Sequence, residues 1–347
     1  MKITVLMGGT SSERDVSLAS GVRIAQALRG RGHDVISLDT ARGVIESEEE
    51  EAMLRGVVVK TAPPELEQLQ HMARTSLSPS LGMLPAIREV DVVFLALHGG
   101  QGEDGTLQAL LDLAGVRYTG SGHLGSALAM DKDLSKHLFR AYGVDTADWV
   151  MVTRGEEIVE GERRFEASGM GLPVVVKPSK QGSTVGLSVV RERNALSDAI
   201  REALRFDDEV MIEQFVPGRE LTVSVLGSRA LPVGEIFPKH EIYDYECKYT
   251  QGMAVEEFPA RLSSSETGEI QRQALAAFRA LKLGGYARVD FRMSGDGRFY
   301  CLEANTLPGM TGTSLLPQAA AADGMPFAEL CERIAQLALE RDQGGVT

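Results

Sequence analysis

Apolar runs that end in glycine turns, each followed by an amphipathic stretch, occupy the first part of the chain. Residues 3–7 form an apolar run that leads into two glycines and then into a helical pattern as far as about residue 28. Further apolar runs over residues 35–38 and 92–97 fit buried strands. Because strands that alternate with helices are typical of parallel sheets covered by helices, we predict an α/β layer here.

The pattern changes after a helix-rich stretch at residues 106–142. Short strands then predominate, with a flexible glycine loop at residues 182–186. Strands are predicted over residues 173–177, 187–190 and 210–215, and helices over residues 195–205, 265–281 and 327–340. We predict three domains, at residues 1–120, 121–217 and 218–347.

The composition excludes several classes of protein. The chain has 347 residues, of which 49 are Asp or Glu and 36 are Lys or Arg, so its formal net charge is −13. That acidity argues against nucleic acid or an anionic membrane as the main partner. The three cysteines form no CxxC pair, which excludes a zinc ribbon or a disulfide framework. No apolar run approaches the roughly 18 residues of a transmembrane helix, and we expect a cytoplasmic enzyme.

Two strand-like segments near the C-terminus, residues 286–293 and 298–305, flank the turn sequence Ser-Gly-Asp-Gly. The first alternates charged with apolar side chains, and the second alternates polar side chains with Tyr300, Leu302 and Ala304. Burial of the apolar sets together predicts a hairpin with one polar face, because side chains alternate between the two faces of a strand. The residues predicted on that face are Arg288, Asp290, Glu303 and Asn305.

The polar face of this hairpin has two interpretations. Two carboxylates and an amide oxygen suit Mg²⁺, which usually takes few protein ligands and keeps the oxygens of phosphates and water. A surface cluster of salt bridges around Arg288 and Arg292 is the competing interpretation. From the hairpin alone, both remain open.

Candidates for phosphate binding lie elsewhere, although the chain has no Walker loop. Lys177 ends a predicted strand and precedes the glycine loop, whose backbone N–H groups can bind anionic oxygens while the loop folds over them. An ordinary turn is the alternative. Lys132 is a second cation at a helix start. Residues 213–216 with Glu220 form a strand end that can hold a purine and a ribose, or can simply join two domains.

Polar loops follow two of the predicted N-terminal strands. Glu13 follows the first strand, and His98 and Glu103 lie in a glycine-rich loop after the strand at residues 92–97. Loops at the carboxyl ends of parallel strands form binding crevices, so these side chains are candidates for a substrate site. The loop at residues 305–315, after the hairpin, offers many backbone N–H donors.

Together these motifs resemble the D-alanine–D-alanine ligase family of the ATP-grasp superfamily. The segments that carry the resemblance are residues 8–14, 98–105, 118–121, 130–132, 177–186, 243–249, 288–290 and 303–314. They follow the family order over nearly the whole chain, whereas residues 41–90 match poorly. The resemblance implies an α/β fold of three domains with ATP between the central and C-terminal domains. It also implies ATP-dependent joining of two D-alanines for peptidoglycan precursors.

The resemblance further implies the roles of individual residues. The implied ligands of two Mg²⁺ or Mn²⁺ ions are Asp290, Glu303 and Asn305. The implied ATP-binding residues are Lys132, Lys177, Gly182, Ser183, Glu213, Gln214, Phe215, Val216, Glu220 and Lys248. The implied D-alanine-binding residues are Glu13, His98, Glu103, Arg288, Ser314 and Leu315. The implied catalytic residues are Glu13, Ser183, Tyr249, Arg288, Gly309 and Ser314.

The mechanism implied by the family proceeds through an acyl phosphate. Glu13 would be linked by hydrogen bonds to Ser183 and Tyr249, which closes the glycine lid and keeps water from this intermediate. Arg288 and the Gly309 N–H would form an oxyanion hole. The partners implied are ATP, D-alanine and a second copy of the chain, since the family usually forms homodimers.

Other functions remain open from the sequence. A D-alanine–D-lactate or D-alanine–D-serine ligase shares these motifs, and so, more distantly, does another ATP-grasp carboxylate–amine ligase. A nucleotide-binding module without catalysis belongs to a different class. Against that last alternative, every carboxylate and lysine of the motifs is present.

Overall fold

A computed structural model describes residues 1–56, 79–243, 245–250 and 252–341, and gives only the backbone of Tyr245 and Tyr249. The described strands form three sheets, one in each of the predicted ranges 1–120, 121–217 and 218–347. The predicted α/β class is confirmed, while the domain boundaries stay predictions. Within the described ranges, no helix combines the length and apolar character needed to cross a membrane.

The first sheet is mainly parallel. Its strands are β1 (Lys2–Met7), β2 (Asp34–Asp39), β3 (Gly43–Val44) and β4 (Val92–Leu95), in the order β3-β2-β1-β4. The helices of this part are α1 (Arg14–Gly30), α2 (Ser47–Gly56), α3 (Pro85–Arg88) and α4 (Thr106–Leu113), with 3₁₀ turns at Pro79–Met83 and Gly100–Gly102. Because β1 is parallel to both β2 and β4, the loops after β1 and β4 meet at one edge of the sheet.

The second sheet is antiparallel. Its strands are β5 (Trp149–Thr153), β6 (Val174–Pro178), β7 (Ser188–Val190) and β8 (Glu209–Gln214), in the order β5-β8-β6-β7. The helices of this part are α5 (His123–Met130), α6 (Lys132–Ala141), α7 (Ile158–Ala167) and α8 (Leu196–Ala203), with a 3₁₀ turn at Arg193–Ala195. Phe165 of α7 and Ile200 of α8 pack on one face of this sheet. The other face, which carries Val175 and Lys177, lines a cavity.

The third sheet is also antiparallel. Its strands are β9 (Arg219–Leu226), β10 (Arg229–Ala230), β11 (Gly234–Pro238), β12 (Ala254–Glu257), β13 (Tyr286–Met293) and β14 (Phe299–Asn305), in the order β12-β11-β9-β13-β14 with β10 beside β9. The helices of this part are α9 (Tyr245–Tyr249), α10 (Ser264–Ala280), α11 (Leu315–Ala322) and α12 (Phe327–Arg341). A capping box between Ser263 and Glu266 starts α10, since each side chain accepts a hydrogen bond from the other residue's backbone N–H.

The hydrophobic cores cross the predicted domain boundaries. Leu330 and Ile334 of α12 are fully buried in the core of the first sheet, together with Leu28 of α1. Ala129 of α5 and Phe139 of α6 are buried in the core of the third sheet. Helices from one predicted domain therefore complete the core of another, which fixes the sheets relative to one another.

The hairpin of β13 and β14 has the predicted polar face. Asn305 lies opposite Arg288, and Glu303 lies opposite Asp290. Ala304, between the two polar residues of β14, is buried in the core of the sheet. The prediction that these four polar side chains share one face is confirmed.

The predicted alternation is wrong further along β14, where a β-bulge shifts the register. Cys301 is fully buried in the core, whereas Tyr300 and Leu302 lie outside it and Leu302 lines a cavity. The prediction that Tyr300 and Leu302 share the buried face with Ala304 therefore fails. The extra residue of a bulge places two successive side chains, Leu302 and Glu303, on the same face.

Gly218, between β8 and β9, has a φ of +131°, and a Cβ there would lie 2.1 Å from the Met293 carbonyl oxygen. We predict that Gly218→Ala lowers the free energy of unfolding by about 2 kcal/mol or more, because backbone strain adds to a clash with backbone. Gly295→Ala is the control, since a Cβ at Gly295 meets nothing within 4 Å. Denaturant unfolding measures the difference, and equal stability of the two variants would contradict this prediction.

Candidate functional site

Two adjoining cavities lie where the three sheets meet. The first, of about 930 Å³, lies between the loops after β1 and β4 and the loop after β14. The second, of about 980 Å³, lies between the second and third sheets. Among the described residues, those that line both cavities are Lys132, Gln181, Ser183, Tyr243, Lys248 and Glu303. The two cavities therefore share a wall.

The glycine loop between β6 and β7 closes over both cavities, and we call residues 182–186 the lid. Ser183 Oγ donates a hydrogen bond to Glu13 Oε1 at the start of α1. Ser183 and Thr184 have φ angles of +52° and +59°, a left-handed conformation that residues other than glycine rarely adopt. The contact between Glu13 and Ser183 is the one predicted, while the Tyr249 side chain, its predicted third member, lies outside the described part of the chain.

His98 and Glu103, which follow β4, hold the loop that follows β14. His98 Nδ1 lies 2.8 Å from the Leu307 carbonyl oxygen, and Glu103 accepts hydrogen bonds at 3.0 Å from the N–H groups of Leu307 and Gly99. Burial, together with the nearby Glu13 carboxylate, raises the pKa of Glu103 above its ordinary value. These two side chains shape the first cavity by tying its opposite walls together.

The predicted metal ligands cluster at the boundary between the cavities. Asp290 accepts hydrogen bonds from Thr222 Oγ1 at 2.7 Å, and from Arg288 Nε and Asn305 Nδ2 at 2.9 Å each. Asp290 lines the second cavity, Asn305 lines the first, and Glu303 lines both. Two carboxylates and an amide oxygen form a donor set that suits a hard divalent cation.

Lysine side chains surround Glu303. Lys132 Nζ lies 3.2 Å from Glu303 Oε2 and donates a hydrogen bond to the Gln181 carbonyl oxygen at 2.8 Å. Burial acts to raise the pKa of Glu303, but the charges of Lys132, Lys248 and Lys177 lower it to about 2. Glu303 is therefore ionised at neutral pH, as metal ligation requires.

A second carboxylate, that of Glu213 on β8, lies between two lysines beside the second cavity. Its Oε2 accepts a hydrogen bond from Lys177 Nζ at 2.7 Å, and its Oε1 accepts one from Lys136 Nζ. Burial acts to raise the pKa of Glu213, but the two ammonium groups lower it to about 2. The remaining residues of this strand end that line the cavity are Gln214, Phe215 and Val216.

Glu220 and Arg292 form an ion pair on the wall of the second cavity. Arg292 Nη1 lies 3.0 Å from Glu220 Oε2, and Arg292 Nε donates a hydrogen bond to the Val216 carbonyl oxygen at 3.0 Å. Burial raises the pKa of Glu220. The salt bridges expected around Arg288 and Arg292 are thus present, since Arg292 pairs with Glu220 of β9 and Arg288 Nη2 lies 2.8 Å from Oδ2 of the predicted metal ligand Asp290.

The far end of the first cavity is formed by the loop after β14 and the start of α11. Ser314 Oγ accepts a hydrogen bond from the Thr311 N–H at 3.0 Å, and Leu315 begins the helix. A Cβ at Gly309 would lie 2.7 Å from Ser314 Oγ, so glycine allows the loop to pass close to this hydroxyl. Backbone N–H groups at a helix start suit a carboxylate ligand.

Every predicted site residue with a described side chain lines one of the two cavities. Sequence patterns do not identify Gln181 or Lys136. Gln181 binds Lys132 through its carbonyl oxygen, which no side-chain pattern reveals. Lys136 is fully buried and follows Lys132 by one turn of α6, a spacing that places both lysines on one side of the helix and could have indicated a shared role.

Sequence comparison identifies the family. The family model described as D-ala D-ala ligase N-terminus matches residues 2–121, and the one described as D-ala D-ala ligase C-terminus matches residues 138–336. A relative from Geotalea uraniireducens, named D-alanine--D-alanine ligase, is 42% identical over 334 residues, which cover 96% of this chain and 94% of the relative.

Solved structures agree with this result. The D-alanine--D-alanine ligase from Bacillus anthracis complexed with ATP has a TM-score of 0.76 and 31% identity, and the match covers 99% of this chain and 100% of that one. The VanG D-Ala:D-Ser ligase from Enterococcus faecalis has a TM-score of 0.79 and 28% identity, with 97% and 99% covered. This chain therefore has the ATP-grasp fold and belongs to the D-alanine–D-alanine ligase family.

Proposed function

We propose that this D-alanine–D-alanine ligase uses the two cavities as one site, with ATP in the second and two D-alanines in the first. The observation that carries the proposal is the hydrogen bond from Ser183 in the lid to Glu13 beside the first sheet. This hydrogen bond joins the lid over the proposed nucleotide cavity to the wall of the proposed substrate cavity. ATP and two D-alanines would give D-alanyl-D-alanine, ADP and phosphate.

In the first step, a carboxylate oxygen of one D-alanine attacks the γ-phosphorus of ATP and ADP leaves. We assign the ammonium group of this D-alanine to Glu13, and the phosphates of ATP to Lys132, Lys177 and Lys248. The location of Lys132 and Lys248 on both cavities supports the assignment, because the transferred group passes from one cavity to the other. The product is an acyl phosphate.

The nucleoside of ATP is assigned to the far end of the second cavity. Residues 213–216 would contact adenine, and Glu220 would bind the ribose hydroxyls. Ile236 and Leu302 line the same space and offer apolar contacts for a flat base. The bulge in β14 thus adds a contact for the base beside the metal ligands.

The donor set of Asp290, Glu303 and Asn305 fits a divalent cation, and we assign Mg²⁺ or Mn²⁺ to it. Such a cation, when bound, neutralises phosphate charge during phosphoryl transfer. The lysines around Glu303 keep that carboxylate ionised and ready to bind. The predicted number of two ions rests on the family resemblance.

In the second step, the amine of the other D-alanine attacks the carbonyl carbon of the acyl phosphate. A C–N bond forms, the amine loses a proton, and phosphate leaves from the tetrahedral intermediate. We assign the oxyanion to Arg288 and the Gly309 N–H, and the second carboxylate to Ser314 and Leu315. Burial acts to lower the pKa of Arg288, but the carboxylate of Asp290 raises it, so the guanidinium remains a cation.

The metal assignment predicts a loss of activity in Glu303→Gln. This isosteric change removes one anionic ligand, so we expect Mg²⁺ affinity to fall by about 10- to 100-fold and turnover at limiting Mg²⁺ to fall with it. Steady-state assays across a Mg²⁺ series measure the effect. Glu269→Gln, on the surface of α10, is the matched control and should leave activity unchanged. Ordinary activity of Glu303→Gln at limiting Mg²⁺ would refute the assignment.

The lid assignment predicts that closure depends on ligands. We expect the backbone of residues 182–186 and of α9 to exchange amide hydrogens quickly without ligands, and slowly with ATP and a D-alanine analogue. Hydrogen exchange measured by mass spectrometry tests this, with peptides from β13 as the internal reference. Equal protection of the lid in both states would count against a closing element.

The sequence of the loop that carries Tyr249 predicts whether the second substrate, the acceptor, is D-alanine or D-lactate. The family resemblance implies that ligases using D-lactate have a histidine where this chain has Lys248-Tyr249. A histidine cation, present below a pKa of about 6.5, repels the ammonium form of D-alanine, whereas tyrosine, with a reference pKa of about 10, stays neutral. We therefore expect D-alanyl-D-alanine as the main product from about pH 6 to 7, even with D-lactate present.

A competition assay with equal amounts of labelled D-alanine and D-lactate tests the acceptor prediction. Product ratios across this pH range are measured by chromatography. If the depsipeptide predominates below neutrality, the acceptor assignment is wrong, although ATP-dependent ligation would stand.

A further inference from the structure

Lys136 is a buried cation that the proposed mechanism does not use. It is 0% exposed, and it is not among the described residues that line the two cavities. Its Nζ donates hydrogen bonds to Thr146 Oγ1 at 2.7 Å and to Glu213 Oε1. Thr146 in turn donates to the Cys301 carbonyl oxygen of β14 at 2.7 Å. A buried lysine is costly without such partners, so its position requires a reason.

The Glu213 carboxylate connects Lys136 to the nucleotide cavity. Its second oxygen binds Lys177, which lines that cavity. Lys136 and Lys177 thus approach one carboxylate, each at a different oxygen. Burial lowers the pKa of Lys136, and repulsion from Lys177 lowers it further, although Glu213 acts to raise it. One connection from Lys136 to the nucleotide cavity therefore runs through Glu213 to Lys177.

We propose that Lys136 is a positioning residue for ATP. By occupying one carboxylate oxygen of Glu213, Lys136 weakens the ion pair between Glu213 and Lys177. This inference rests on the proposed contact between Lys177 and the phosphates of ATP. Without Lys136, Lys177 would be the only cation paired with the buried Glu213 carboxylate. That ion pair would then be stronger, because charges attract more strongly in the protein interior than in water. The Lys177 ammonium group would then leave Glu213 less readily to bind a phosphate of ATP.

Lys136→Met tests this role. We expect KM for ATP to rise about tenfold or more, while KM for D-alanine stays within about twofold, because the change acts on nucleotide binding alone. Lys136→Gln also removes the charge and gives the same readout if the methionine variant is insoluble. Arg140→Met is the matched control, since Arg140 lies on the same helix as Lys136 and its change removes an exposed ion pair with Asp148. The KM of this variant for ATP should be unchanged.

A double-mutant cycle with Glu213→Gln tests the route of the effect. In that background Lys136 has no carboxylate to occupy, so Lys136→Met should change KM for ATP by less than about twofold. An equal rise in both backgrounds, or no rise with Glu213 present, overturns the proposal. Lys177→Met tests the contact between Lys177 and ATP separately from the role of Lys136. If this variant leaves KM for ATP unchanged, the assignment of Lys177 to the phosphates fails.

Discussion

Buried charge at the junction of the three sheets is the constraint on which the rest of the structure depends. Glu213 is buried between Lys136 of α6 and Lys177 of β6, where an unpaired charge of either sign would be severely destabilising, and the partly exposed Glu303 of β14 pairs with Lys132 of α6. The helix, the second sheet and the hairpin must therefore meet at this point for any of these charges to be tolerated. Because a phosphate can replace a carboxylate as the partner of a lysine, the proposed binding of ATP would use lysines that also form these ion pairs.

The proposed mechanism gives different tasks to the strands of the site and to the lid. Asp290 and Glu303 lie on strands whose alternate residues are buried in the core, so their oxygens are fixed relative to each other. Closure belongs to the lid, which reaches Glu13 in a left-handed backbone conformation. A fixed set of oxygens, with a cover that opens as proposed, would suit a reaction that protects an intermediate from water and then releases its products.

The sequence predicts features that depend on local alternation and on strand ends. The polar face of the hairpin follows from such a pattern, and the strands predicted over residues 173–177 and 210–215 are present as β6 and β8, displaced by one residue. The alternation of polar and apolar residues cannot predict the bulge at Leu302, because the position of an inserted residue depends on how the two strands pair. Nor can it predict the pair of Lys136 and Glu213, which are separated by 77 residues in the chain. The predicted helix patterns reveal Lys136 only as a neighbour of Lys132.

The return of α12 to the first sheet affects the order in which the chain can fold as it is synthesised. Leu330 and Ile334 fill the core that also contains Leu28, so this core stays incomplete until the last described helix has left the ribosome. The core of the second sheet, from Val152 to Ile212, is available much earlier. Domains commonly fold from the N-terminus onwards during synthesis. Here the middle of the chain can become compact first, while the core of the N-terminal part, with its apolar strands already made, stays incomplete and open to aggregation until α12 is available.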